Sequence, residues 1–517
     1  IYKWLRLFQG CFTPKNMDFP VRVELMSLKE SLKPIFNRLP AVASPEGHVH
    51  FKNKLMWTLG ILVLYFALAN VPLFGLSPDS IDLFESYRAF FAGASGSLML
   101  LGIGPIVTAS IVLQLLVGAD VIKLDMSNPD DQAFFQGAQK ALVFVMIVLE
   151  ALPQIAGGYI QPDTTLAATL GVGTGVITAV LFIQIFIGGV LVLFMDEVVS
   201  KWGIGSGVGL FIVAGVSQQI VTGLFNWTAD TSGLPTGFFP KWIYIIQNVG
   251  ADYLFTGDGL MFMLVNGGIL ALVSTVIIFL LVVYVESTRI EIPLAHSAVR
   301  GARGKFPVKL IYASVLPMIL VRALQANIQL IGIVLSGRGI TFLGEYVGST
   351  PVSGLMYYLA PIHSPYDWIP SLVRESFSSY GVAAPATWQI ALHVLTDAVF
   401  LIAGGIVFAL FWIETTGMGA KPTARKIFNS GMQIPGFRRN IGSIEKVMMR
   451  YIPKVTVIGG AFIGLLTLVA SLLGTLGGAG GTGLLLTVSI VYRLYEDIAS
   501  EQMMEMHPMV RSFFGQE

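Results

Sequence analysis

The sequence predicts an all-α membrane protein of ten transmembrane helices, arranged as two five-helix halves of inverted topology with both termini on the inner side. Three observations carry this. Of 517 residues, 54% are hydrophobic and 12% charged, with a mean hydropathy of +0.73, whereas a soluble domain carries about 25% charged residues. Ten apolar runs approach the ~20 residues that a helix needs to cross hydrocarbon. They are too long for barrel strands, and backbone in lipid is satisfied only in helices or closed barrels. Finally, Lys and Arg gather in alternate loops, as retention of positive charge on the inner side requires.

The runs are 55–71, 98–117, 138–158, 166–194, 207–224, 260–285, 308–335, 387–413, 454–474 and 482–498. With the segment before the first run inside, 23 Lys and Arg from residue 26 onward fall on the inner side and four (Arg88, Lys241, Arg338, Arg374) on the outer. Residues 1–25 lack the long apolar core of a signal peptide and read as an unassigned extension ahead of the fold. Met26 opens "MSLKESLKPIFNRL", whose Leu28, Leu32, Ile35, Phe36 and Leu39 recur at helical spacing, so an interfacial amphipathic helix is expected there.

The halves divide at an outer hinge loop, 225–259, giving an N-terminal half of 26–224 and a C-terminal half of 260–517. Five runs per half means that the second half enters the membrane from the opposite side, the arithmetic of an inverted repeat. Segments 103–117 and 207–224 are short and glycine-punctuated, which points to a translocation path. Two large inner loops, about 286–308 and 415–454, are basic beyond the needs of topology. Retained positive charge with anionic-lipid contact is one reading; a docking surface for something anionic, such as ribosomal RNA, is the other.

Enzymatic chemistry finds no foothold. There is no HExxH zinc motif and no GxxxxGK[ST] phosphate loop. Ser206 has no His on a neighbouring run to activate it, and Tyr366-Asp367 sits in a loop. The single cysteine, Cys11, excludes an intramolecular disulfide. A secondary transporter of a small solute is the competing class, yet it wants converging carboxylates at mid-membrane and only Glu150 is so placed. The short runs offer aliphatic pairs one turn apart instead, Ile103 with Val107 and Val208 with Ile212. These suit either ordinary helix packing or a hydrophobic constriction that blocks ions by dewetting.

Six stretches bear a resemblance: "LGIGPIVTASIVLQLLVG" from Leu101, "VSKWGIGSGVGLFIVAGVSQ" from Val199, "RIEIPLAHSAVRGARGKFPVKLIY" from Arg289, "ANIQL" from Ala326, "FWIETTG" from Phe411 and "GGTGLLLTVSIVYRLYE" from Gly480. Through them the chain, from about residue 26 to its end, resembles the archaeal form of the SecY family, channel subunits of the protein-conducting Sec translocon. The resemblance implies a channel in the cell (plasma) membrane that passes unfolded secretory chains and releases signal sequences sideways into lipid. It implies no cofactor. The partners it implies are a SecE-type gamma subunit, a small beta subunit, and a ribosome or other cytosolic motor. Position by position, it implies a pore ring of Ile103, Val107, Val208, Ile212, Ile319 and Leu486 (or its neighbour Leu485). A plug falls at about 84–96, and a lateral-gate polar cluster comprises Thr108, Glu150 and Asn327. Motor-docking residues would be Arg300, Arg303, Lys305, Arg438 and Arg439. The glycines and Pro105 after Leu101 become a loose joint between plug and pore helix.

Arg322 departs from the family pattern, which has small or apolar residues there. It stands about 14 residues into a run entered at Val308, where an unpaired Arg costs roughly 2.5–3.5 kcal/mol on insertion scales. Two environments are open: pairing with Glu150 across a closed gate, as a member of the gate cluster, or solvation by funnel water. His393 and Asp397, one turn apart, are expected as a water-exposed pair near the outer interface.

Overall fold

The computed structural model describes residues 34–506 apart from short stretches, chiefly 81–90, most of 119–127, 249–255, 297–302, 310–315 and 434–439. Among the described residues the principal helices are α1 (Phe51–Ala69), α2 (Gly104–Gly118), α3 (Pro129–Ala156), α4 (Thr174–Trp202), α5 (Gly207–Phe225), α6 (Ile269–Ser287), α7 (Leu316–Gly337), α8 (Thr387–Thr415), α9 (Ile441–Leu473) and α10 (Gly480–Met506). Eight of them, all except α2 and α10, are long and apolar enough to cross a membrane. The amphipathic segment after Met26 and most of the plug segment lie largely outside the described residues.

Helix bounds depart from the apolar runs for local reasons. α3 starts nine residues before its run because Asn128 caps it, accepting from the Asp130 amide at 3.1 Å, with Asp130 and Asp131 in the first turn. Caps and N-terminal acids both stabilise a helix start. α9 likewise begins at Ile441, capped by Asn440. The run at 260–285 is broken at Gly268, whose φ of 75° suits a left-handed turn that other residues resist. At the seventh run, Lys309 ends a strand, and the described part of the helix runs from Leu316 to Gly337.

The all-α expectation holds for the membrane body and fails in the loops. β1 (Arg289–His296) and β2 (Arg303–Lys309) form an antiparallel hairpin, with Arg289 opposite Lys309. A small second pair joins β3 (Tyr346–Val347) to β4 (Thr350–Pro351). β5 (Met432–Gln433) then adds to β1 at Ala295 and His296, so the two basic loops share one three-stranded sheet. Loop backbone in water can leave a sheet edge solvated, which lipid forbids. Glu496 on α10 pins the hairpin's base, accepting from Arg289 Nη2 at 2.7 Å and from Lys309 Nζ.

A continuous buried apolar cluster links both halves. A second lies where the amphipathic helix Ala420–Asn429 packs on α8 and α9. α8 and α9 touch backbone to backbone: a Cβ at Gly405 would stand 2.7 Å from the Gly460 carbonyl oxygen, the close approach that small residues permit. Outward faces expose Leu59, Val63, Val276, Leu280 and Leu395, a surface that only lipid or a partner would cover.

Candidate functional site

The stretch from Phe91 to Val107 is close-packed, which corrects the loose joint expected there. The Ile103 amide donates to the Phe91 carbonyl at 2.8 Å and the Ala94 amide to that of Met99. Gly102 turns with φ 54°, and a Cβ on it would fall 2.2 Å from Phe91 O. Glycine thus serves contact rather than looseness.

The six expected pore-ring positions all fall in or against one buried apolar cluster. Ile103, Val107, Ile212, Ile319 and Leu486 are all buried within the cluster that joins the halves, as is Leu485, and Val208 packs against it. Val208 is held by its backbone: its amide donates to Asp196 Oδ1 at 2.8 Å, so a carboxylate on α4 receives the N-terminal turn of α5. A cavity of about 400 Å³, lined by Leu210, Val213, Leu316, Trp412, Leu486 and Ile490 among others, opens on the side where α10 carries Arg493.

A polar seam joins α2, α3 and α7. Thr108 Oγ1 lies 2.8 Å from Glu150 Oε1 and 3.0 Å from the Gly104 carbonyl, and it accepts from Asn327 Nδ2 at 3.2 Å. Glu150 sits against the first turn of α2, where a Cβ on Gly104 would crowd its Oε2 at 3.0 Å and where the helix dipole favours a carboxylate. Tyr159, just past α3, donates to the Ile333 carbonyl of α7 at 3.0 Å. That second link from the N-terminal half to α7 carries no signal in the sequence.

Arg322 does not join this seam. Both expected environments fail: it is 2% exposed, and its acidic partner is Asp397 on α8, with Nη1 to Oδ1 at 3.3 Å. Glu150 belongs to Thr108, while the guanidinium is enclosed by Gln325, Ser471 and Thr482. His393 and Asp397 are not at a wet interface either, being 4% and 1% exposed, and His393 Nε2 lies 2.9 Å from the Ala360 carbonyl. The charges themselves were the missed signal: Arg322 is the only charged residue of α7, and Asp397 the only one in the interior of α8.

Of the expected docking positions, Arg303 and Lys305 stand on β2. Arg300, Arg438 and Arg439 lie outside the described residues, as does the plug before Phe91.

The comparisons with known proteins agree with this architecture. The SecY family profile matches residues 97–495, and that described as the plug domain of Sec61p matches 63–96. A protein translocase subunit SecY from Archaeoglobus fulgidus is 61% identical over 492 residues, covering 95% of this chain and 99% of its own length. The corresponding subunit from Haloferax volcanii is 56% identical, covering 95% of this chain and all of its own. Among solved structures, a protein conducting channel superposes with a TM-score of 0.74 at 38% identity, covering 92% of this chain and 98% of the other. Sec61 in the canine ribosome-channel complex superposes at 0.71 with the same identity and coverage. The chain belongs to the SecY family.

Proposed function

We propose that this chain conducts unfolded polypeptides across the membrane through the waist made by Ile103, Val107, Val208, Ile212, Ile319 and Leu486. Apolar segments leave sideways into lipid where α2 and α3 face α7 along Thr108, Glu150 and Asn327. The observation that carries the reading is the meeting of aliphatic side chains from both halves in one buried cluster, with a thin polar seam beside it. A passage for any side chain cannot coordinate its cargo tightly. A ring of branched aliphatics is indifferent to sequence and blocks ions by dewetting when empty. An apolar segment that wedges into the seam biases a two-state opening toward lipid. A small-solute transporter is not favoured, since the relatives are translocase subunits.

In this reading the chain spans the plasma membrane ten times with both ends inside, and 84–96 forms the plug. A gamma and a beta subunit accompany it. The sheet shared by the two basic loops presents Arg303 and Lys305, with Arg300, Arg438 and Arg439 in the adjoining segments, to a ribosome or another motor. Sec61, a relative in structure, stands in a ribosome-channel complex.

The test uses the lone cysteine. In a Cys11→Ser background, single cysteines at Ile103, Val107 and Ile319 are expected to crosslink a secretory chain stalled in passage, while cysteines at lipid-facing Val63 and Leu280 do not. Silence at every waist position with the chain engaged would refute the assigned path.

A further inference from the structure

We propose that Arg322 is a positioning residue that clamps α7 to α8, α9 and α10. The pore residue Ile319 and the seam residue Asn327 then move as one body with the C-terminal half, and the closed channel parts between the halves. The proposal rests on the channel reading above and goes beyond it by naming what holds the moving helix.

The guanidinium is spent entirely within its own half. Nε donates to Thr482 Oγ1 on α10 at 3.0 Å and Nη2 to Ser471 Oγ on α9 at 3.2 Å. Nη1 donates to Gln325 Oε1 at 2.7 Å and to Asp397 Oδ1 on α8 at 3.3 Å. Gln325 extends the tie, its Nε2 donating to Asp397 Oδ1 and to the Leu359 carbonyl, each at 3.0 Å. One side chain on α7 therefore reaches three other helices. A planar fork with donors in set directions fixes rotation as well as distance, which a Lys ammonium cannot do.

Helical geometry makes the arrangement directional. Asn327 follows Arg322 by five residues, so at 3.6 residues per turn the two side chains leave α7 about 140° apart. One face is tied to the C-terminal bundle and the other rests on Thr108 of α2. Ile319 lies one turn before Arg322, so a rotation of α7 at Arg322 would displace the waist and the seam together.

The experiment compares export of a reporter with a defective signal sequence against the same reporter with an intact one, using the full channel in its membrane. Arg322→Lys keeps a positive charge near Asp397 but offers one nitrogen where Thr482 and Ser471 need two. The defective-to-intact ratio is expected to rise about tenfold, as a modest bias of a two-state gate produces. Ser471→Ala and Thr482→Val, each losing one hydroxyl, should each raise it about threefold. If Arg322 only neutralised Asp397, Lys would serve as well. Ratios within twofold of the parent for all three variants therefore overturn the clamp. Should Arg322→Lys fail to accumulate, the two hydroxyl variants decide by the same criterion. Failure of the channel reading itself looks different: export of the intact reporter would then not depend on this chain at all.

Discussion

The seam and the clamp lie five residues apart on α7 and are built to different strengths. At the seam, Asn327 makes one hydrogen bond to Thr108, and the only carboxylate, Glu150, faces a hydroxyl and a helix start. At the clamp, a guanidinium and a carboxylate are both buried and three further polar side chains converge on them. Neutral hydrogen bonds contribute about 0.5–1.5 kcal/mol each, a strength that a wedging apolar segment can replace. A buried ion pair stripped of one partner costs about 3–5 kcal/mol. On the proposed channel reading, the difference teaches where the fold would part: along the light seam, with α7 staying on the heavy side.

The most forceful way to break the comparison is Asp397→Leu, which leaves the Arg322 guanidinium buried without its carboxylate. A loss of about 3–5 kcal/mol is expected, read as a large fall in the thermal unfolding midpoint of the purified channel. Arg322→Met combined with Asp397→Leu should recover most of that loss, since a well-packed apolar pair is often neutral relative to a buried ion pair. A single variant no less stable than the parent would place Arg322 on other support. Next comes Glu150→Gln at the seam, which keeps an acceptor for Thr108 and puts a neutral amide in place of the carboxyl group. Its expected effect is about 1 kcal/mol, too small to move the unfolding midpoint much but enough to raise defective-signal export severalfold. Equal effects on midpoint and export would erase the distinction between gate and clamp.

Much of this architecture is legible in the sequence, and the remainder has physical reasons for being hidden. Apolar runs locate the helices because lipid imposes length and composition, yet it does not say where a polar helix end stops. That is why α3 and α9 reach past their runs to Asn128 and Asn440. Thr108 and Asn327 enter through family motifs and Glu150 as an isolated carboxylate within an apolar run, and geometry then brings both Glu150 and Asn327 within hydrogen-bonding distance of Thr108. The Arg322–Asp397 pair was obscured by depth. Asp397 stands ten residues into α8, about 15 Å at 1.5 Å per residue, half of a hydrocarbon core about 30 Å thick. An outer-end reading of the eighth run thus mistook a mid-membrane group for an interfacial one. Tyr159 and Ser471 were hidden differently: nothing in a sequence says which hydroxyl a folded neighbour will turn toward.

The smallest predicted effect traces how far the clamp's charge is felt. His363 lies in the loop between α7 and α8, its amide donating to Asp367 Oδ2 at 2.8 Å, and it lines the same cavity as His393. Burial, then the positive charge of Arg322, then His393 hold its protonation down, from the ordinary 6.5 to about 3. The folded imidazole therefore stays neutral while the unfolded one takes up a proton near 6.5. The stability it contributes is complete above that value and declines as the pH falls toward 3. Between pH 7.5 and pH 5 the unfolding midpoint should fall, and His363→Gln should remove on the order of 1–2 °C of that fall. Arg322→Met should make the His363 ring titrate at higher pH, followed by its ring-proton resonances. An unmoved titration would mean that the clamp's charge ends at Asp397 and that burial, with His393, keeps His363 neutral.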